Sequence, residues 1–360
     1  MSRKYNFAAG PSTIPLEVLE QLQEEIVDYH GLGFSLIETS HRGKEYDQVH
    51  NNAINLVREL LQIPDNFKIL FLGGGATLQF SLIPLNFMGQ GNSCDFTITG
   101  TWSKKAYLDA IKVGNVNILF DGKEDKYMSL PDPVSIEVND GSSYLHITTN
   151  ETIQGTQWQS FPDTGSVPII ADMSSDIMSR SLPMDKFGVI YAGAQKNLGP
   201  SGVALVIVRD DLLKRCPDSL TAYLNYSIHS SKNSLYNTPP VFPIYAIYLV
   251  LKRLKKLGGV KAAAERAEKK SSILYEAIKE SDGFYLCPVE EKVRSKMNVV
   301  FRLSDENLEE KFLKEGAREG LIGLKGHRSV GGLRASIYNA MPLEGVSVLG
   351  QFMKYFVEKN

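Results

Sequence analysis

Helical and strand patterns alternate along the first two thirds of the chain. Apolar residues recur at helical spacing over residues 15–30 and 46–63, and a buried strand pattern at 67–75 leads into a further helix over 76–87. Six later apolar runs have the length of strands: DFTITG, NVNILF, YLHITTN, VPIIADMS, GVIYAGA and GVALVIVRD. Several are continuous rather than alternating, which is typical of strands covered on both faces. The pattern predicts an α/β fold with a mainly parallel sheet between helices.

The pattern changes in the last third of the chain. Two long helical segments fill residues 243–282 and are separated by Gly258–Gly259. Strand, helix, strand and helix patterns follow in the order KMNVVFRLS, NLEEKFLKEGAREG, LRASIYN and LEGVSVLGQFMKYFVEK. We therefore predict a large domain over 16–259 and a smaller α+β C-terminal domain made of 1–15 and 260–360.

Composition narrows the class of protein. A formal net charge of −2 offers no basic stripe for nucleic acid. The longest apolar run, Phe242–Leu251, is half of the roughly 20 residues that a membrane helix needs. The three cysteines lie far apart and form no CxxC pair, so neither a zinc site nor a disulfide framework is indicated. We expect a cytoplasmic protein that binds neither nucleic acid nor membrane.

One lysine, Lys196, lies among small residues between two apolar runs, 188–194 and 202–208. A lysine at a strand end is most often a solvated surface residue. Desolvation, however, lowers a lysine pKa, and a neutral amine forms Schiff bases with aldehydes. The small neighbours would leave room for a flat aldehyde cofactor such as pyridoxal 5'-phosphate. That cofactor also needs a carboxylate at its pyridine nitrogen, a stacking group and a phosphate cradle.

The sequence offers a candidate for each requirement. Asp172 closes the strand VPIIADMS, and strand ends at one edge of a parallel sheet face a common pocket. The turn Gly73–Thr77 between a strand and a helix suits a lone phosphate, because it lacks the lysine of a P-loop. Trp102 follows the strand DFTIT and could stack on the ring, whereas Trp158 lies in a polar loop. The alternatives are a turn aspartate and a core tryptophan.

Two glycine-rich loops carry candidate substrate ligands. The loop SHRGKEYD contains His41 and Arg42, and the loop LKGHRSVGGLRASIYN contains His327, Arg328 and Arg334. Arginine forks match the geometry of carboxylates and phosphates. We expect both loops to converge on a dianionic substrate; the alternative is two separate solvated loops.

Together these stretches resemble the phosphoserine aminotransferase family, in class V of the fold-type I pyridoxal-phosphate enzymes. The resemblance runs almost end to end, and the motifs HRG, GAQKN, NTPP and GHR…GG-R-ASIYN are specific in combination. It implies a large domain with a mainly parallel seven-stranded sheet. It also implies transfer of the amino group of L-glutamate to 3-phosphohydroxypyruvate, giving O-phospho-L-serine and 2-oxoglutarate in serine biosynthesis. A related phosphorylated keto acid of vitamin B6 (pyridoxine) biosynthesis is a further expected substrate.

The resemblance also implies roles for individual residues. Lys196 would be the Schiff-base lysine and Asp172 the partner of the pyridine nitrogen, with Trp102 stacked on the ring. Further cofactor contacts, to the ring oxygen or the phosphate, would come from Ala76, Thr77, Thr152 and Gln195. In a homodimer with shared active sites, Asn237 and Thr238 would reach the phosphate bound by the neighbouring subunit.

The same resemblance assigns the substrate-binding side chains. Arg334 would bind the α-carboxylate. The substrate phosphate, or the distal carboxylate of glutamate, would be bound by His41, Arg42, His327 and Arg328.

Two other classes of function remain open at this point. Another aminotransferase or a cysteine desulfurase would share the fold, but a desulfurase needs a reactive cysteine on a mobile loop. None of Cys94, Cys216 and Cys287 lies in an obviously activating environment. A non-catalytic nucleotide-binding α/β protein would hold no aldehyde and show no visible absorbance.

Overall fold

A computed structural model describes residues 3–89 and 92–360 of the chain. Its α-helices, in chain order, are α1 (Leu16–Glu25), α2 (Lys44–Leu61), α3 (Gly75–Phe87), α4 (Thr101–Ala110), α5 (Asp210–Leu213), α6 (Tyr226–Ser231), α7 (Val241–Lys256), α8 (Gly259–Lys279), α9 (Glu309–Arg318) and α10 (Leu343–Lys359). Its strands are β1 (Tyr5–Asn6), β2 (Phe67–Gly73), β3 (Ser93–Ile98), β4 (Asn115–Asp121), β5 (Leu145–Thr148), β6 (Asn150–Glu151), β7 (Thr156–Gln157), β8 (Ile169–Asp172), β9 (Phe187–Gly193), β10 (Val203–Arg209), β11 (Tyr285–Leu286), β12 (Asn298–Leu303), β13 (Leu321–Ile322) and β14 (Leu333–Ser336).

Seven strands form the central sheet, in the order β2-β10-β9-β8-β5-β3-β4. Strand β10 runs antiparallel to both of its neighbours, and the other adjacent pairs are parallel. The predicted seven-stranded, mainly parallel sheet is therefore confirmed.

Both faces of this sheet are buried along its inner strands, as the continuous apolar runs predicted, whereas no residue of the edge strand β4 is buried. On β9, Ile190 and Ala192 pack into one core together with residues of α2 and α7. Val189 and Tyr191 of the same strand point the other way, into a core that α3 and α4 complete. Because successive side chains of a strand alternate between faces, a strand buried on both sides must be apolar throughout.

The C-terminal part of the chain builds a second core. Strands β11, β12 and β14 form an antiparallel sheet, which packs with α8, α9 and α10. The two predicted strands are present, and the short strand β11 is added at the edge. The N-terminal strand β1 pairs in parallel with β13, and Phe7 is buried in this core. The division into 1–15 with 260–360 and 16–259 stays a prediction.

Two local predictions were wrong. The first helix ends at Glu25 rather than at residue 30, and Val27 beyond it is 76% exposed. The chain turns there instead, and Tyr29 packs into a core with Val18 and Tyr245. Trp158 was expected in a polar loop, but it is only 2% exposed and belongs to the core beneath the sheet. Its neighbours Thr156 and Gln157 form a buried strand, in which the amide of Gln157 donates a hydrogen bond to Asp176, and hydropathy alone does not reveal this burial. Among the described residues, no helix combines the length and the hydropathy required to cross a membrane.

A buried lysine ties α8 to the segment that follows β14. Lys270 is 2% exposed, and its ammonium group donates hydrogen bonds to the carbonyl oxygens of Ile337 (2.8 Å), Tyr338 (2.6 Å) and Met341 (3.1 Å). Burial lowers the pKa of Lys270 to about 7. Burial keeps water from donating hydrogen bonds to these three carbonyls, and the ammonium group of Lys270 donates in its place.

Replacing this lysine should therefore destabilise the fold. Lys270→Met keeps the length of the side chain but removes the donor shared by the three buried carbonyls, and one unsatisfied buried group costs about 1–3 kcal/mol. We expect the free energy of unfolding, measured by urea denaturation, to fall by about 3 kcal/mol or more. The neighbouring Lys269 is exposed, so Lys269→Met is the matched control and should change stability by less than about 0.5 kcal/mol. Equal stabilities of the two variants would contradict the role of Lys270.

Candidate active site

The ends of β8 and β9 bring Asp172 and Lys196 to one edge of the sheet. The two strands are parallel neighbours, and Asp172, the last residue of β8, lies opposite Tyr191. Strand β9 ends at Gly193, so Lys196 follows within one turn. The carboxylate and the amine therefore lie in the crevice outside the carboxyl ends of the strands, where ligands bind in open α/β sheets.

The amino group of Lys196 is enclosed by polar and aromatic side chains. Its Nζ atom donates a hydrogen bond to Oγ1 of Thr152 at 2.5 Å and lies 5.3 Å from the ring centroid of Trp102. The backbone carbonyl of Lys196 accepts a hydrogen bond from the hydroxyl of Ser12 at 2.6 Å. The residue as a whole is half-buried.

This environment makes Lys196 an unusually weak base for a lysine. Burial lowers its pKa to about 8, because the charged form loses its hydration. The negative charges of Asp172 and Glu151 oppose that effect, and the positive charge of Arg334 adds to it. Near neutral pH the amine is still mostly charged, but a much larger fraction is in the nucleophilic neutral form than for an ordinary lysine.

Asp172 is fixed through one of its two carboxylate oxygens. Oδ1 accepts hydrogen bonds from the backbone N–H of Ser174 (2.9 Å) and from its hydroxyl (2.6 Å). The Ser174 hydroxyl oxygen in turn accepts from the N–H of Gly193 at 3.0 Å. Burial raises the pKa of Asp172, an effect that the nearby Lys196 opposes. Within the described part of the chain no hydrogen bond reaches Oδ2, so the second oxygen can accept a donor from a ligand.

The turn between β2 and α3 exposes backbone N–H groups to the same edge. Gly74 and Gly75 have φ values of 86° and 61°, a left-handed conformation that favours glycine. Helix α3 begins at Gly75 without a hydrogen bond from any described side chain to its first turn. An uncapped helix N-terminus of this kind binds phosphate. Thr77 lies exposed in that first turn.

Ala76 and Gln195 meet beside the end of β9. A Cβ atom placed on Gly193 would lie 2.8 Å from Oε1 of Gln195 and 3.4 Å from Cβ of Ala76. Glycine at this position therefore lets the first turn of α3 approach the lysine turn closely.

Cationic side chains surround the mouth of the crevice. Arg334 donates a hydrogen bond to the carbonyl of Thr152 at 3.2 Å, while its buried Nε finds no partner among the described residues. Burial lowers the pKa of His327, and the positive charges of Arg334, Arg328 and Lys105 lower it further. An anion at the mouth would relieve this mutual repulsion.

Four predicted site residues have no described bond to this cluster within one chain. His41 and Arg42 precede α2, and Asn237 and Thr238 precede α7. Helices α2 and α7 pack side by side in the same direction, with the ion pair Lys255–Glu59 at their far ends. The described hydrogen bonds and ion pairs do not join these four side chains to the lysine cluster, and Arg42 and Thr238 are exposed. The expected convergence of the two histidine-arginine loops stays a prediction.

Sequence reasoning missed three side chains that complete the site. Ser174 holds Asp172, and its position two residues later is the spacing of a local aspartate turn. Lys105 lies one helical turn after Trp102, with Nζ 4.6 Å from the indole centroid. Glu151 accepts hydrogen bonds from the first turn of α4, a contact across 48 residues that no local pattern reveals.

Comparisons with known proteins place this architecture in a family. The family model described as "Aminotransferase class-V" matches residues 4–349. The chain is 50% identical over 360 residues to a phosphoserine aminotransferase of Halalkalibacterium halodurans, covering 100% of each chain. It superposes with a TM-score of 0.97 on a solved phosphoserine aminotransferase of Bacillus circulans subsp. alkalophilus, at 50% identity and with 99% of each chain covered.

A further solved phosphoserine aminotransferase, studied for radiation damage of its Schiff base, is 47% identical and superposes with a TM-score of 0.98 over 100% of each chain. Identity at this level over the whole length, together with the matching fold, leaves no part of the chain outside the likeness. The chain belongs to the class-V aminotransferase family and, within it, to the phosphoserine aminotransferases.

Proposed function

We propose that this chain transfers the amino group of L-glutamate to 3-phosphohydroxypyruvate, giving O-phospho-L-serine and 2-oxoglutarate, with pyridoxal 5'-phosphate as cofactor. The observation that carries the proposal is the enclosed amine of Lys196, held between Asp172, Thr152 and Trp102 at the sheet edge. The membership of the chain in the phosphoserine aminotransferases supports the choice of substrates.

The residues present fit the cofactor part by part. The amine of Lys196 suits the aldehyde, the open Oδ2 of Asp172 suits a protonated ring nitrogen, and the indole of Trp102 suits the ring face. The uncapped first turn of α3 suits the phosphate. The ring oxygen or the phosphate would be contacted by Ala76, Thr77, Thr152 and Gln195. When bound, pyridoxal 5'-phosphate supplies an aldehyde carbon that takes up the amino group and a ring that withdraws electrons from it.

The chain's own groups then move the proton. With a pKa of about 8, Lys196 can act as the base that takes the α-proton of glutamate, and as the acid that would deliver it to the former aldehyde carbon of the cofactor. Asp172 would hold a proton on the ring nitrogen of the bound cofactor, because a buried carboxylate with an open oxygen favours a cationic donor. Arg334 binds the α-carboxylate, and its hydrogen bond to the carbonyl of Thr152 fixes the guanidinium beside Lys196.

The substrate phosphate, or the distal carboxylate of glutamate, is bound by His41, Arg42, His327 and Arg328. The crowded positive charges around His327 give the mouth an affinity for a dianion. A phosphorylated keto acid of vitamin B6 biosynthesis carries the same charged group and is a second candidate substrate.

A cysteine desulfurase is the less favoured alternative. Burial raises the pKa of the Cys94 thiol to about 12 and that of Cys216 to about 11, and it also raises the pKa of Cys287. Reactive cysteines require the opposite shift, since the thiolate is the nucleophile.

We also propose that two copies of the chain share their active sites. The amide of Asn237 donates only to the neighbouring carbonyl of Thr238 among the described residues, and Thr238 is exposed. Two prolines that follow would stiffen this segment. In the dimer, Asn237 and Thr238 reach the cofactor phosphate held by the partner. That contact would order a segment that is otherwise polar and exposed.

Removing one arginine at the mouth of the crevice tests the assignment of the phosphorylated substrate. Arg328→Ala should raise the KM for 3-phosphohydroxypyruvate about ten- to hundredfold, the effect of a lost hydrogen bond to a charged group. The matched control is Arg318→Ala, an exposed arginine at the end of α9, which should leave KM unchanged. Steady-state kinetics with purified variants give both values. An unchanged KM in the Arg328 variant, with activity intact, would contradict the assignment.

Mixing two inactive variants tests the shared site. Lys196→Ala removes the amine, and the double change Asn237→Ala with Thr238→Ala removes the contact to the partner. In a mixed dimer one site carries both lesions and the other carries none. Random subunit exchange should therefore restore about a quarter of wild-type activity. If mass-tagged subunits are seen to exchange and activity stays at the level of the separate variants, each site belongs to one chain.

A further inference from the structure

The N-terminus of α4 is filled by a carboxylate of the chain itself. Glu151, the last residue of β6, is fully buried, and its Oε2 accepts a hydrogen bond from the backbone N–H of Trp102 at 3.1 Å. Its Oε1 accepts from the N–H of Ser103 at 2.9 Å and from the Ser103 hydroxyl at 2.7 Å. The contact is close: a Cβ on Gly100 would come within 2.4 Å of Cδ of Glu151. Three donors on one buried carboxylate make this a fixed junction rather than a surface contact.

This junction sets the position of the indole that lies beside Lys196. Trp102 is the second residue of α4, and its ring centroid lies 5.3 Å from Nζ of Lys196. The indole N–H is buried and has no hydrogen-bond partner among the described residues. The direction of the ring is therefore set by where the backbone of Trp102 begins the helix and by packing, not by a bond from the ring itself.

The same hairpin also positions the lysine. Thr152 follows Glu151 directly, and its hydroxyl accepts the hydrogen bond from Lys196 while its carbonyl accepts one from Arg334. Two residues further on, the side-chain amide of Gln154 donates to Oγ1 of Thr101, at the start of α4, at 3.0 Å. The segment 150–157 thus joins the stacking residue, the amine and the carboxylate-binding arginine.

The two helix N-termini at this sheet edge differ in a way that this carboxylate explains. Free N–H groups and the helix dipole attract anions to such a terminus. At α4 the anion is Glu151, so a phosphate has no place there. At α3 no side chain of the described residues caps the first turn. A ligand phosphate is therefore directed to α3, and α4 is left to present Trp102.

We propose that Glu151 is a positioning residue for the transamination, acting through Trp102, whose ring it holds against the cofactor. This inference rests on the proposed function, because it takes the face of Trp102 to be the surface on which the cofactor ring stacks. It predicts that loss of the carboxylate lets the start of α4 and the indole shift while the rest of the fold is kept.

The experiment uses the full chain in a Trp158→Phe background, in which Trp102 is the sole tryptophan. Glu151→Gln keeps the shape of the side chain but turns an amide N–H toward the N–H donors of α4. The matched control is Glu344→Gln, the same chemical change in the exposed first turn of α10. Trp102 emission and its quenching by acrylamide are recorded without cofactor, and kcat and KM are recorded with it.

We expect Glu151→Gln to shift the Trp102 emission to longer wavelength, increase its quenching and lower kcat about tenfold or more, with KM changed much less. Glu344→Gln should behave as the parent protein in every readout. A cap that served stability alone would lower the unfolding midpoint and leave the emission and kcat of the folded variant unchanged, and that result would overturn the proposal.

A second variant covers the case in which Glu151→Gln does not fold. Ser103→Ala removes one of the three donors to Glu151, and also the acceptor of the backbone N–H groups of Thr99 and Gly100 just before α4. It should change emission and kcat in the same direction as Glu151→Gln, and a folded Ser103→Ala identical to the parent would also overturn the proposal. Failure of the proposed function is seen separately. It would appear as a parent protein that binds no pyridoxal 5'-phosphate and transfers no amino group, whatever Trp102 does in the cofactor-free variants.

Discussion

The desolvation of one amine governs the organisation of this protein. Lys196 carries its nitrogen into a crevice where the charged form is poorly hydrated, and that cost lowers its pKa to about 8. A buried ammonium group without any partner would be far more costly. The carboxylates of Asp172 and Glu151 reduce the cost, and the hydroxyl of Thr152 gives the nitrogen a direct hydrogen bond. The amine thus loses its proton more readily than an ordinary lysine without being isolated.

That arrangement requires segments from the whole chain. Asp172 and Lys196 come from neighbouring strand ends, Glu151 and Thr152 from a hairpin, and Arg334 from the C-terminal sheet. Hydrogen bonds join the two cores: Asn150 donates to Asn298 at 2.8 Å, and the N–H of Asn339 donates to the side-chain oxygen of Asn197 at 2.9 Å. Tyr338 also donates to the carbonyl of Ala9 at 2.8 Å, which ties the N-terminal segment to the C-terminal part. Lys270 holds the segment that carries Tyr338 and Asn339. Networks of buried polar groups fix a single geometry when all members are satisfied.

The sequence was most informative where periodicity and composition act locally. Continuous apolar runs predicted a sheet buried on both faces, and the lone lysine among small residues indicated the crevice. The family resemblance supplied the number of strands and the roles of residues such as Thr152. The contacts that depend on long-range packing were not predictable. Glu151 accepts a hydrogen bond from the first turn of α4, although the two segments are 48 residues apart in sequence. Lys105 lies at the mouth of the crevice because of the direction of α4. Trp158 looked polar by its neighbours, yet the hairpin carries it into the core.

The reaction of the cofactor-free protein with pyridoxal 5'-phosphate tests the central claim most directly. The rate would be followed by visible absorbance as a function of pH, and borohydride would then make the link permanent for peptide mapping. Because only the neutral amine attacks the aldehyde, the account predicts a rate that rises with pH about a midpoint near 8, with the label on Lys196 alone. A rate that keeps rising toward the ordinary lysine value of about 10.4, or a label on another lysine, would contradict it.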